Sequence, residues 1–222
     1  MPSPFGWRIC ATGLSGDVQR IAAELDNQDL QTHADGEALI LFSAAVNKIN
    51  GRPSAQWAGY ELVRLVSAAA DLRFGSISPL RFESVVGQIS PFSPANVELR
   101  RNHDIQTGDL PLSRVVLAAQ SRHRIRTALL ACSQGGAEGL FRAYEALCSD
   151  LMDYPVGIGT KEWLIEQGWV EEQEEESFLD TVLHYSRHCR STISKPRSPR
   201  EAQEIIRRLL TKWIGHVSQS AL

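Results

Sequence analysis

The sequence contains no apolar run near the roughly 18 to 20 residues that a membrane-spanning helix needs. Its first residues, MPSPFGWRICATG, lack both the basic start and the apolar stretch of a signal peptide. We therefore expect a cytoplasmic protein that does not contact a membrane.

Closely spaced cysteines are also missing. The four cysteines are Cys10, Cys132, Cys148 and Cys189, and no C-x-x-C pair occurs among them. Zinc knuckles and thioredoxin-like dithiols both need such pairs, so neither is predicted. In a reducing cytoplasm the expectation is four free thiols, at least two of them in apolar segments.

The chain has little net charge. Its formal charge is −3, with 43% hydrophobic and 22% charged residues, as in an ordinary soluble globular protein. No global attraction to nucleic acid or anionic membranes follows from this balance. RNA or DNA would have to be bound by a local basic patch.

Strand and helix patterns alternate in the first hundred residues. The predicted order is strand, helix, strand, helix, strand and strand, in WRICATG, SGDVQRIAAELD, GEALILFSAAV, residues 54–74, PLRFESVVGQIS and NVELRRNH. The helix over 54–74 shows a wide apolar face formed by Trp57, Tyr60, Leu62, Val63, Leu65, Val66 and Ala69. The fold class expected for this half is a small mixed α/β domain.

Composition changes near residue 104, where the turn-rich DIQTGDLPLS begins. We predict an α+β domain over residues 1–104 and an all-α helical bundle over residues 112–222. About five helices are expected in the bundle. They are one helix from Leu112 to the Gly135-Gly136 break, AEGLFRAYEALCSDLM, TKEWLIEQG with Thr160 as N-cap and Gly168 as stop, EEQEEESFLDTVLHYSRH, and SPREAQEIIRRLLTKWI.

The last of these helices has the clearest signals. Ser198, Pro199 and Glu201 predict a capping box with proline in the first turn. One continuous apolar face follows at helical spacing, formed by Ala202, Ile205, Leu209 and Trp213.

Charge is distributed unevenly along the helical half. Residues 161–181 hold eight acids and one lysine, whereas residues 182–222 hold eight Lys/Arg and two Glu. A second basic group, with Arg114 and His123, lies in the first helix of this half. If both groups share a face, they form a patch suited to a phosphate backbone, built from Arg122, Arg124, Arg126, Arg187, Arg190, Lys195, Arg197 and Arg200. The alternative is intramolecular pairing between the acidic and basic helices.

No metal or cofactor is predicted. His184 and His188 are four residues apart, but a third ligand and the acid of an H-E-x-x-H motif are missing. The GIGTK stretch at 157–161 lacks the Gly-Lys-Ser/Thr order of a phosphate-binding loop. The catalytic candidates that the sequence offers are His184, Arg187 and His188.

The order LFRAYEAL, EWLIEQGWV, an acidic helix, SRHC, a proline-containing basic loop and EAQEIIRRLLTKWI resembles a family of bacterial proteins of uncharacterised function. The resemblance covers roughly residues 138–215 and implies a variable α+β part followed by a helical part. The same half is distantly similar to HEPN domains, the helical bundles of many toxins and phage-defence ribonucleases. Their R-x4-6-H motif is missing, because His188 follows Arg187 directly and no histidine lies five to seven residues after it.

Two functions remain open from the sequence. The first is a non-enzymatic binding or scaffold protein, whose basic surface on the C-terminal helices contacts a protein partner or nucleic acid. The alternative is a divergent HEPN-like effector that binds or cleaves RNA with Arg187 and either His184 or His188.

Overall fold

The computed structural model describes residues 5–25, 27, 29–75, 77–89, 110–151, 159–185 and 198–219. The fold is α+β, with a small antiparallel sheet near the N-terminus and helices in the rest of the chain. Two compact units are present, Met1–Arg114 and Val115–Leu222. The sequence-based limits of 1–104 and 112–222 stay predictions, because most of the linking stretch lies outside the described residues.

Four antiparallel strands form the sheet of the first unit, in the order β2-β3-β1-β4. Their bounds are Phe5–Thr12 for β1, Leu30–Asp35 for β2, Ala38–Ser43 for β3 and Arg81–Ile89 for β4. The helices between them are α1 (Ser15–Leu25), the short α2 (Ala44–Asn47) and α3 (Arg52–Phe74). This order of strands and long helices is the split βαβ arrangement called ferredoxin-like.

The sequence-based strand order missed β2. Its residues, LQTHAD, are mostly polar, and only Leu30 among them is buried. The strand is held by its pairing with β3 through the tight turn at Gly36, which has φ of +58°. Polar residues suit this position, because β2 lies at one end of the four described strands and its His33 and Asp35 are exposed. The predicted strand NVELRRNH lies outside the described residues.

Helix α3 packs closely on the sheet at Gly59. A Cβ atom there would lie 2.6 Å from Cγ2 of Val85 on β4, so glycine permits the close approach. The predicted apolar face is correct for Leu62, Val66 and the other buried aliphatic residues but is too wide. Trp57 is 66% exposed, because it projects about 180° away from Val66 around the helix.

The second unit is helical. Its helices are α4 (Leu112–Ser121), which begins at the end of the first unit, α5 (His123–Gln134), α6 (Gly136–Leu151), α7 (Thr160–Glu166), α8 (Glu172–Tyr185) and α9 (Pro199–Gln219). The continuous helix predicted from Leu112 is wrong, since Arg122 is extended, with φ of −125° and ψ of 113°. The Arg122 amide still donates to the Ala118 carbonyl at 2.9 Å, so the hydrogen bonding of α4 reaches this residue before the backbone becomes extended.

The ends of α7 agree only partly with the sequence pattern. Gly159 occupies the N-cap position, so Thr160 is the first helical residue and not the cap that the sequence predicted. The predicted stop at Gly168 is confirmed by its φ of +63°. The amide of Trp169 donates to the Leu164 carbonyl at 2.9 Å, which closes the helix as a Schellman motif.

The predicted capping box of α9 is confirmed. Glu201 Oε2 accepts from the Ser198 amide at 2.8 Å, and Ser198 Oγ accepts from the Glu201 amide at 3.2 Å. The predicted apolar face is buried at every position, from Ala202 to Trp213. Within the described part of the chain, every helix is too short or too polar to cross a bilayer.

Candidate functional site

Among the described residues of the first unit, the most exposed large aromatic side chains lie on one side of α3. Trp57 is 66% exposed and Tyr60 is 39% exposed, and their ring centroids are 5.7 Å apart. Arg64 lies one turn further along the same side, with its guanidinium carbon 5.6 Å from the Tyr60 ring centroid. We call Trp57, Tyr60 and Arg64 the aromatic face.

Neighbouring side chains hold the aromatic face in place. The ring of Phe82 on β4 meets the Tyr60 ring edge-on, with the centroids 5.8 Å apart. Arg64 Nη1 donates to Glu61 Oε1 at 3.0 Å, which fixes the guanidinium over Tyr60. These contacts limit the side-chain entropy that Tyr60 and Arg64 would lose on binding a partner.

The structure brings together two of the predicted anion-binding arginines, Arg122 and Arg124, around Asp150. Each guanidinium lies 3.7 Å from one Asp150 carboxylate oxygen. The Trp213 indole nitrogen donates to the same carboxylate at 3.0 Å, and Arg124 also donates to the Ser149 carbonyl at 2.7 Å. Both arginines therefore have a structural role at the start of α5.

The other predicted residues are dispersed or undescribed. Arg126 lies on α5, and Arg200, at the start of α9, is 3.4 Å from Glu204 Oε1. His184 is exposed at the end of α8, with its ring edge-on to Tyr185 at a centroid distance of 5.0 Å. Five candidates lie outside the described residues: Arg187, His188, Arg190, Lys195 and Arg197.

Charges of the acidic helix α8 pair with neighbouring helices. Arg208 of α9 forms an ion pair with Glu174. Lys161 of α7 donates to Glu176 at 2.9 Å, and this bond raises the pKa of the exposed lysine. The charge asymmetry of the sequence thus produces contacts within the second unit.

A polar cluster is buried between α6 and α8. The Tyr144 hydroxyl donates to Glu175 Oε1 at 2.5 Å, and Glu175 is only 2% exposed. Burial, followed by the proximity of Cys148 and Glu175, raises the pKa of Tyr144 above its usual range. Burial also raises the pKa of the Cys148 thiol to about 12, so this thiol is a poor nucleophile near neutral pH.

The sequence did not indicate the aromatic face as a site, although the helical positions contain the signal. Trp57 and Tyr60 fall on the side of α3 opposite the aliphatic residues that cover the sheet.

In the described parts of the chain, no three His, Cys, Asp or Glu side chains come together as metal ligands. Comparison with protein-family models, curated proteins and solved structures finds no match to this chain. The two sequence resemblances therefore stay predictions.

Proposed function

We propose that the protein is a non-enzymatic binding protein whose contact surface for another protein is the aromatic face. The observation that carries this proposal is a tryptophan with 66% of its surface in water, beside an exposed tyrosine and an arginine. These three residue types are the ones most enriched among the residues that dominate protein–protein binding energy. A contact surface needs such anchors in a fixed arrangement, and the contacts to Phe82 and Glu61 supply it.

Within the described part of the second unit, four polar side chains are held by burial or by an ion pair. Tyr144 and Cys148 are held protonated by burial, and Arg122 and Arg124 are engaged by Asp150. Contact with a partner or nucleic acid through the basic residues of the C-terminal helices stays a prediction. Four of its eight residues lie outside the described part of the chain.

The proposal is tested by capture with matched variants. Equal amounts of the immobilised protein, its Trp57→Ala variant and its Tyr185→Ala variant are incubated with an extract of cells that express it. Tyr185 is the control, because it is an aromatic side chain with 51% exposure on another helix. We expect at least one protein, identified by mass spectrometry, to be retained by the unchanged protein and by Tyr185→Ala but lost with Trp57→Ala. Equal retention on all three would contradict the proposal.

A further inference from the structure

The link between α2 and α3 contains the one Asn-Gly pair of the sequence, Asn50 and Gly51. Asn50 is exposed, and Gly51 has φ of +90° and ψ of 134°. A glycine has no Cβ to hinder the approach of its backbone nitrogen to the preceding side chain, and its backbone adopts conformations closed to other residues. An asparagine in this setting can react with the backbone nitrogen that follows it.

Hydrogen bonds hold the other asparagines that the structure describes. Asn47 Oδ1 accepts from the Trp7 amide at 2.7 Å. The backbone nitrogen that follows Asn47, that of Lys48, donates to the Ala45 carbonyl at 3.3 Å. Asn27 uses both polar atoms of its side chain in bonds to backbone groups. These side chains are therefore held away from the backbone nitrogen that each would have to meet.

The Asn50-Gly51 pair is not held in this way. Among the described residues, neither the Asn50 side chain nor the Gly51 backbone nitrogen has a hydrogen-bond partner. The Gly51 carbonyl accepts from the Ala55 amide at 3.1 Å, so the glycine is anchored to the first turn of α3 through its carbonyl group alone. Both reacting groups of the pair are thus open to water and to each other.

We infer that Asn50 is a site of spontaneous deamidation, which converts it to aspartate and isoaspartate. The Gly51 nitrogen bonds to Cγ of Asn50 and gives up its proton, and the Cγ–Nδ2 bond breaks as Nδ2 leaves with a proton as ammonia. The product is a five-membered succinimide ring. One water molecule then opens this ring. Cleavage between the Gly51 nitrogen and Cγ gives aspartate, and cleavage between that nitrogen and the Asn50 carbonyl carbon gives isoaspartate.

Both products change the link between α2 and α3. Each adds one negative charge to a chain whose formal charge is −3. This charge lies close to the start of α3 at Arg52, where the helix dipole stabilises an anion. Isoaspartate also lengthens the backbone by one methylene group next to Ile49, whose carbonyl accepts from the Trp7 indole nitrogen at 3.0 Å.

Peptide mapping by mass spectrometry tests the inference on the full folded chain, incubated for days at neutral and at mildly alkaline pH. We expect the Asn50 amide to be replaced by an acid several-fold faster than the Asn47 amide. The rate should rise with pH, because the attacking nitrogen must lose its proton. Two chromatographic peaks of equal mass should appear, since ring opening gives both aspartate and isoaspartate, whereas direct hydrolysis of the amide gives aspartate alone.

The matched control is Asn50→Gln, which keeps the amide but would have to close a six-membered ring, a slower reaction. This variant should show no acid at position 50 over the same time, with conversion of Asn47 unchanged. A second sample of the unchanged protein, unfolded in guanidinium chloride, shows how fast the pair reacts without the fold. The folded and unfolded chains should convert Asn50 at similar rates.

Three results would overturn the inference. The first is an Asn50 amide that stays intact in the folded chain while it reacts in the unfolded one. The second is conversion of Asn50 and Asn47 at equal rates in the folded chain. The third is aspartate at position 50 without isoaspartate, which would replace the succinimide route by direct hydrolysis.

Discussion

The Tyr144 hydroxyl donates a 2.5 Å hydrogen bond to Glu175, a carboxylate that has only 2% of its surface exposed. This bond joins α6 to α8, 31 residues apart in the chain. The second carboxylate oxygen, Oε2, has no hydrogen-bond partner among the described residues. Glu175 therefore depends on Tyr144 more than a solvated glutamate depends on any one donor.

Replacing Tyr144 with phenylalanine should destabilise the second unit. The change removes a single oxygen and leaves a buried carboxylate without its donor, which costs about 1–3 kcal/mol or more because the acceptor is a carboxylate. Urea unfolding followed by circular dichroism measures the loss. The matched control is Tyr185→Phe, at an exposed tyrosine, which should change the unfolding free energy by less than about 0.5 kcal/mol. Equal losses in the two variants would contradict the role assigned to the bond.

The raised pKa of Cys148 predicts a loss of stability at alkaline pH. The unfolded thiol releases its proton near its ordinary value of about 8.5, whereas the folded thiol keeps it until about 12. The folded state therefore binds more protons in this window. The contribution of Cys148 is fully present below pH 8.5 and is lost as pH rises toward 12, with a limiting slope of about 1.4 kcal/mol per pH unit.

Unfolding free energies at pH 8, 9 and 10 check this slope for the unchanged protein and for Cys148→Ala. The variant should lose less stability over this range, even if it is less stable at pH 8. Most of the unfolded-state titration of tyrosine lies at higher pH, so the comparison mainly reports the thiol. Parallel slopes would show that the folded protein does not perturb this cysteine.

Local signals made the start and packing face of α9 predictable. Ser198 and Glu201 are three residues apart and satisfy each other's amides, so the capping box needs no distant contact. The apolar face ending at Trp213 follows from helical spacing alone. The break at Arg122 was not predicted because the apolar helical pattern continues through it and no glycine or proline marks it.

Tertiary partners explain why the candidate sites changed between sequence and structure. The sequence predicts that Arg122 and Arg124 bind phosphate. In the structure both pair with Asp150, which lies 26 to 28 residues further along the chain, and no local sequence pattern predicts this pairing. Hydrophobicity alone assigns Trp57 to the apolar face of α3. The angle between Trp57 and Val66 around α3 was available in the sequence and would have placed the tryptophan in solvent.

The capping box of α9 predicts a measurable loss for Ser198→Ala. The alanine removes the oxygen that accepts from the Glu201 amide, and loss of such a cap costs typically about 1 kcal/mol. The control is Ser133→Ala near the end of α5, where the serine hydroxyl only donates to the Leu130 carbonyl. Thermal unfolding should show a lower Tm for Ser198→Ala and little change for Ser133→Ala. A Tm shift shared equally by both variants would argue against a capping role.

Helices α5 and α6 approach each other at Gly139, where a Cβ atom would lie 2.5 Å from the backbone oxygen of Ala131. A backbone oxygen cannot move aside as a flexible side chain can, so Gly139→Ala should separate the two helices and cost about 1–3 kcal/mol. Gly215→Ala is the matched control, because it also lies within a helix but has open space around its Cβ position. Alanine there should stabilise the protein by about 0.5–1 kcal/mol through its higher helix propensity. Urea unfolding of the two variants should therefore move in opposite directions, and a stabilising Gly139→Ala would show that α5 and α6 are not in close contact at this position.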